Sequence, residues 1–145
     1  MSIPMRLLWV LLGMAFVNLV QADCQAIYQR AKNADLATLE TLYREARSAP
    51  DCDDAFRAKL GQRVSNELLR QTQARLQQDP KADVTELLDR ALSYARPWQA
   101  LAMRGDLRHD RRDYYRAALD YQEALEIVAD PKATPNPPPQ TQIGD

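Results

Sequence analysis

Histidine occurs once in this chain, at His109, and serine four times, at Ser2, Ser48, Ser65 and Ser93. None of those serines lies in a nucleophile-elbow context. The histidine sits in a charged run, Arg108-His109-Asp110-Arg111-Arg112, with no nucleophile beside it. A general base needs a positioned partner and a pocket, so no catalytic set is expected, and neither a cofactor nor a small-molecule substrate. There are two cysteines and no Cys-x-x-Cys, which leaves no zinc framework. Asp51, Asp53 and Asp54 lack the glycine and distal glutamate of a calcium hand and read as helix caps, so no metal is expected. Four glycines, two phenylalanines and no convincing alternating apolar/polar run exclude a sheet. Long stretches of Ala, Leu, Arg, Gln and Glu favour helix instead.

The first 22 residues have the order of a secretory leader: a short basic start to Arg6, an apolar run Leu7 to Val20 broken by Asn18, then Val20-Gln21-Ala22 before a cleavage point. Fourteen helical residues reach about 21 Å, short of the ~30 Å hydrocarbon core. Cleavage after Ala22 is therefore preferred to an uncleaved inner-membrane anchor. Asp23 stands where a lipobox needs a small residue, which disfavours a lipoprotein. Without the leader the chain has 18 basic and 20 acidic residues, a net charge of −2, and no concentrated basic face for nucleic acid. Cys24 and Cys52 both lie in the mature part; in an exported chain an even pair reads as one disulfide. It would close a loop of about 29 residues and contribute roughly 3–4 kcal/mol by loop entropy.

The mature chain predicts an all-α domain of about six helices over 23–131, followed by a flexible tail over 132–145 rich in proline, with Pro135, Pro137, Pro138 and Pro139. Helix one is expected from Asp23 to Lys32, with Ala26, Ile27 and Ala31 apolar. Helix two opens behind Asp35 as N-cap and carries the stripe Leu36, Leu39, Tyr43, Ala46. Helix three runs from behind Asp53 or Asp54 to Gln78, with Phe56, Leu60, Val64, Leu68 and Leu76 near one face. Asp83 and Glu86 have capping-box spacing and open helix four, whose buried face is Val84, Leu87, Leu88, Ala91 and Leu92. Pro97 begins helix five. Asp110 to Asp113 makes a turn, and helix six spans Tyr114 to Ala129. Short connections make successive helices antiparallel.

The last hairpin has a finer pattern. Small residues at Gly105, Ala117 and Ala124 would let two helices approach closely, and Tyr114 and Tyr121 would fill the spaces between them. The distances from Gly105 to Ala117, Tyr121 and Ala124 resemble those of the tetratricopeptide repeat, and Asp113 to Leu125 resembles the repeat's second helix. The first helix departs from that family: Leu101, Arg104 and Arg108 stand at its three large apolar places, and Pro131 comes two residues late. An ordinary hairpin whose alanines reflect close packing is the alternative. Helices three and four faintly echo the same spacing through Leu88, Ala91 and Tyr94.

The wider arrangement is a leader, Cys24, a Pro-Asp-Cys-Asp-Asp turn, a repeat-like hairpin and a proline run. It resembles the N-terminal helical region of bacterial periplasmic proteins that join tetratricopeptide-like helices to a C-terminal domain of the outer-membrane-protein-A type. The resemblance implies stacked helical hairpins, a periplasmic or secreted location, association with the cell envelope, and a scaffold role toward a protein or peptide partner. The alternative role is a structural spacer of an envelope protein. Arg104, Arg108 and Arg112 are candidate partner contacts because guanidinium forks suit carboxylates, and Trp98 is one as an exposed groove aromatic of the kind that anchors interfaces. The bland reading of the arginines is a solvated, salt-bridged face.

Overall fold

A computed structural model describes residues 23–130 and Lys132; the expected leader and nearly all of the proline-rich tail lie outside the described residues. Six helices follow in order: α1 Cys24–Ala31, α2 Leu36–Ser48, α3 Asp54–Gln78, α4 Thr85–Tyr94, α5 Trp98–Asp110 and α6 Tyr114–Ala129. No strand occurs among the described residues. The chain divides into two compact units, the first ending at Leu60 and the second starting at Gly61.

In the first unit, α1 packs on α2. Both open on aspartate caps: Asp23 accepts from the Gln25 N–H at 3.0 Å, and Asp35 from the Thr38 N–H at 2.9 Å. The hydrogen bonds from Thr38 hold the Asp35 carboxyl below its ordinary pKa. Ile27 and Ala31 face inward, whereas Ala26 and Tyr28 are exposed. On α2 the buried stripe is Leu39, Leu42 and Ala46; Tyr43, expected in it, is only half-buried. Leu42 lies three residues after Leu39 and four before Ala46, so it completes the helical face. Arg57 of α3 closes the end of α2. Its Nε donates to the Ala46 carbonyl at 2.9 Å and its Nη2 to the Ala49 carbonyl at 3.0 Å, satisfying carbonyls that a helix end leaves free. The Cys24–Cys52 disulfide ties the start of α1 to the turn after α2, with Cα atoms 5.2 Å apart. Beside it the Cys24 N–H donates to Asp51 Oδ2 at 2.8 Å.

In the second unit, α4 packs on α5 and α5 on α6. Leu69, Val84, Leu88, Leu92, Ala100, Leu101 and Ala124 form one buried cluster, with Leu76, Trp98, Met103, Leu107 and Ile127 packed against it. The capping-box spacing at the start of α4 is not used. Asp83 Oδ1 instead accepts from Thr85, from its N–H at 3.0 Å and its hydroxyl at 2.6 Å. The chain turns one residue later than the box requires, and Val84 occupies the N-cap position. Those Thr85 bonds first, and Arg111 after them, bring the Asp83 carboxyl down to about 2. Pro97 is the N-cap of α5 rather than its first residue. The α5–α6 turn is a full Schellman motif: the Arg112 N–H donates to the His109 carbonyl at 2.9 Å and the Asp113 N–H to the Arg108 carbonyl at 2.8 Å. Glycine usually fills the left-handed position of that motif; here Arg112 does, with φ 63°.

Candidate partner-binding surface on the last hairpin

The close approach expected between α5 and α6 is present. Gly105, Ala117 and Ala124 are all buried. The ring of Tyr121 lies directly on Gly105, so close that a Cβ there would meet Tyr121 Cε1 at 2.7 Å and Cδ1 at 2.9 Å. The Tyr121 hydroxyl donates to Asp106 Oδ1 at 2.5 Å, one residue beyond the glycine. Burial first, and the bond to Asp106 second, push that hydroxyl up to about 12. Tyr114 does not share this role. It is 57% exposed and sets its ring edge-on to His109, with centroids 5.2 Å apart. It is the first residue of α6, at the turn, so it covers the hairpin's end rather than filling the seam.

Two of the four candidate contacts point into the fold. Arg104 holds Asp120 with both arms of its fork, Nε to Oδ2 at 3.1 Å and Nη2 to Oδ1 at 2.8 Å. Its remaining nitrogen, Nη1, reaches Asp89 Oδ1 of α4 at 3.1 Å. Arg108, one turn on, donates from Nη1 to Asp120 Oδ2 at 2.7 Å. The Asp120 side chain is 4% exposed, and those of Arg104 and Arg108 are 16% and 28% exposed. The hydrogen bond to Asp120 raises the Arg104 pKa. A second fork joins Arg96, after α4, to Glu123 of α6; its Nη2 lies 2.6 Å from Oε2 and its Nε meets Oε1. That bond lowers the Glu123 carboxyl and raises Arg96.

The seam joining α4, α5 and α6 thus sets Arg96, Arg104 and Arg108 against Asp89, Asp120 and Glu123. Three positive groups meet three negative ones, so the arginines of this seam are neutralised locally. Asp120, Glu123 and Asp89 are the ion-pair partners that the sequence-based expectation does not include. A signal for the first was present. Asp120 falls between Ala117 and Ala124 on the apolar face of α6, and a carboxylate there needs cations from the facing helix. Arg104 and Arg108, spaced i,i+4, supply them from a single face.

Trp98 is half-buried against the apolar cluster and is not an exposed anchor. Arg112 alone of the four is exposed and has no ion pair among the described residues. Its neighbours Arg111 and Arg116 pair with Asp83 at 3.0 Å and Asp113 at 3.6 Å, all on the surface. Chemically the arrangement can hold a surface in shape and offer charge. Among the described residues no group of three or more His, Cys, Asp or Glu side chains is placed to hold a metal ion. Set against known proteins, the chain matches no family model, no curated protein and no solved structure.

Proposed function

We propose that this is an exported, non-enzymatic helical domain of tetratricopeptide type that presents a surface to a protein or peptide partner in the bacterial cell envelope. One observation carries the reading: Tyr121 packs on Gly105 between the buried alanines Ala117 and Ala124. That is the packing which the repeat's small-residue and aromatic spacing serves. The Cys24–Cys52 bond supports an oxidising compartment, since such bonds are rare where thiols are kept reduced. With Arg104 and Arg108 held by Asp120, the partner contact moves to the turn end of the hairpin, where Arg112 is exposed and has no ion pair among the described residues, beside Arg111 and Arg116.

The test uses the oxidised mature protein as bait in a periplasmic extract. A specific envelope protein should be recovered, and Arg112→Glu should reduce its recovery without changing the melting temperature. Arg104→Glu is unsuitable as a binding test, because it sets a second carboxylate against Asp120 and unfolds the seam. Recovery of no specific protein, or recovery unaffected by Arg112→Glu, would reject the surface. Mass spectrometry of the native protein without reductant checks export: an N-terminus at Asp23 and a mass lower by two hydrogens are expected.

A further inference from the structure

The outer face of α6 is more apolar than a solvated helix face should be. Tyr115 is 76% exposed, Tyr114 57%, Leu125 49% and Leu119 48%. Ala118, Gln122 and Ala129 are exposed on the same side. Tyr115, Leu119, Gln122 and Glu126 follow one another at intervals of four, three and four, so they form a single line opposite the buried Ala117, Asp120 and Ala124. The α5 side of the helix is already occupied, and nothing among the described residues covers this one.

The charges bordering the face are ordered. Arg112 and Arg116 stand at its N-terminal end, and Glu126 and Asp130 at its C-terminal end. Arg112 and Glu126 have no ion pair among the described residues; Glu126 only accepts from Gln122 at 3.1 Å. Asp130 caps the Lys132 N–H at 2.9 Å and is otherwise exposed. The pairs 112 with 130 and 116 with 126 have the same midpoint, residue 121. A single two-fold axis there brings both pairs together when α6 packs antiparallel on itself, and a parallel arrangement would bring like charges together.

We infer that this face is a self-association surface, covered in solution by α6 of a second copy of this chain, antiparallel, with Arg112 and Arg116 of each copy against Asp130 and Glu126 of the other. The exposed parts of these side chains amount to on the order of 500 Å² per copy, about 1,000 Å² in all, at the lower limit for a specific interface. The dimer is accordingly weak and depends on concentration.

Sedimentation velocity on the oxidised mature protein, from the low-micromolar to the near-millimolar range, should show a reversible monomer–dimer equilibrium. Leu119→Glu should weaken it by about tenfold or more, with the helical circular dichroism unchanged because the side chain is exposed. Charge variants decide the geometry. Arg112→Glu/Arg116→Glu should be monomeric, and so should Glu126→Arg/Asp130→Arg, but an equimolar mixture of the two should form a heterodimer. A protein that stays monomeric throughout overturns the inference. So does a dimer indifferent to Leu119→Glu, or a mixture of charge variants that fails to associate.

Discussion

Replacing Gly105 by alanine sets two effects of opposite sign against each other. Alanine in a helix interior is favoured over glycine by about 1 kcal/mol, so at an open position Gly105→Ala would stabilise α5. At this position the new methyl meets Tyr121 Cε1 at 2.7 Å and Cδ1 at 2.9 Å, and one of the two must move. The ring is poorly placed to yield. It is rigid, and its hydroxyl is fixed to Asp106 at 2.5 Å. Forcing a methyl into a packed interior costs about 1–3 kcal/mol, and losing the Asp106 bond adds roughly 1 kcal/mol. The net expectation is a loss of about 1–3 kcal/mol, a fall of several degrees in melting temperature for a domain of this size. Thermal and urea unfolding followed by circular dichroism measure it. The double variant isolates the cause. In a Tyr121→Ala background the obstacle is gone, so adding Gly105→Ala should stabilise by about 0.5–1 kcal/mol, a reversal of sign. If Gly105→Ala alone is as stable as the parent, or the sign stays the same in both backgrounds, the close packing described here is wrong.

Asp120→Ala should destabilise by about 2–4 kcal/mol in urea unfolding, since it leaves two largely buried guanidiniums facing each other; Asp120→Asn, which keeps the shape and some hydrogen bonds, should lose less. Arg112→Gly should raise stability by about 0.5–1 kcal/mol, because a left-handed residue with a side chain costs more than the extra unfolded-state freedom of glycine; no gain in melting temperature would refute the φ of 63°. The Tyr121 hydroxyl, raised to about 12, favours the folded protein while it stays protonated, so its contribution is complete below about pH 10 and fades as pH rises through about 12. An ultraviolet titration should show one late tyrosinate step that Tyr121→Phe removes. Reduction of Cys24–Cys52 should cost roughly 3–4 kcal/mol, and hydrogen exchange should place the loss in α1 and the turn before α3.

The helix boundaries were legible because the sequence marks them with caps and stops of strong local chemistry. Asp35 and Asp113 cap α2 and α6 as residues of that type do, and Pro50, Pro80 and Pro131 follow the ends. What sequence spacing handled poorly was direction. Tyr114 and Tyr121 are seven residues apart and share a helical face, but Tyr114 begins the helix, where no opposing backbone stands over it. Leu42 and Tyr43 flank the line through Leu39 and Ala46 almost equally, so the helical period does not choose between them; packing against the neighbouring helix does, and it buries Leu42. The arginines failed for a different reason. Ion pairing depends on a carboxylate on another helix, 16 residues away in the case of Arg104 and Asp120, and the mark it leaves in the sequence is on that partner, Asp120 between Ala117 and Ala124, not on the arginines.

The charged residues at which α5 departs from the repeat pattern are engaged in the same network. Where the repeat family places large apolar groups, Arg104 and Arg108 reach across to a carboxylate that is itself buried on α6, and Arg104 goes on to Asp89 of α4. The contact between neighbouring helices is therefore polar and directional. A buried ion network of this kind adds little net stability over an apolar core, because desolvation offsets most of the attraction, but it penalises any other register heavily. Moving α6 by one residue against α5 would take Asp120 off both forks and Tyr121 off Gly105 together. The hairpin is fixed in one register by two independent contacts, and that rigidity bears on the proposed binding surfaces outside it. Arg112 and the face of Tyr115 and Leu119 are presented by a frame that cannot slide, so binding there is expected to leave the helix positions unchanged. Chemical-shift changes on adding a partner should then stay on the outer side of α6 and the turn before it, and should not spread to Leu101 or Leu88 in the core.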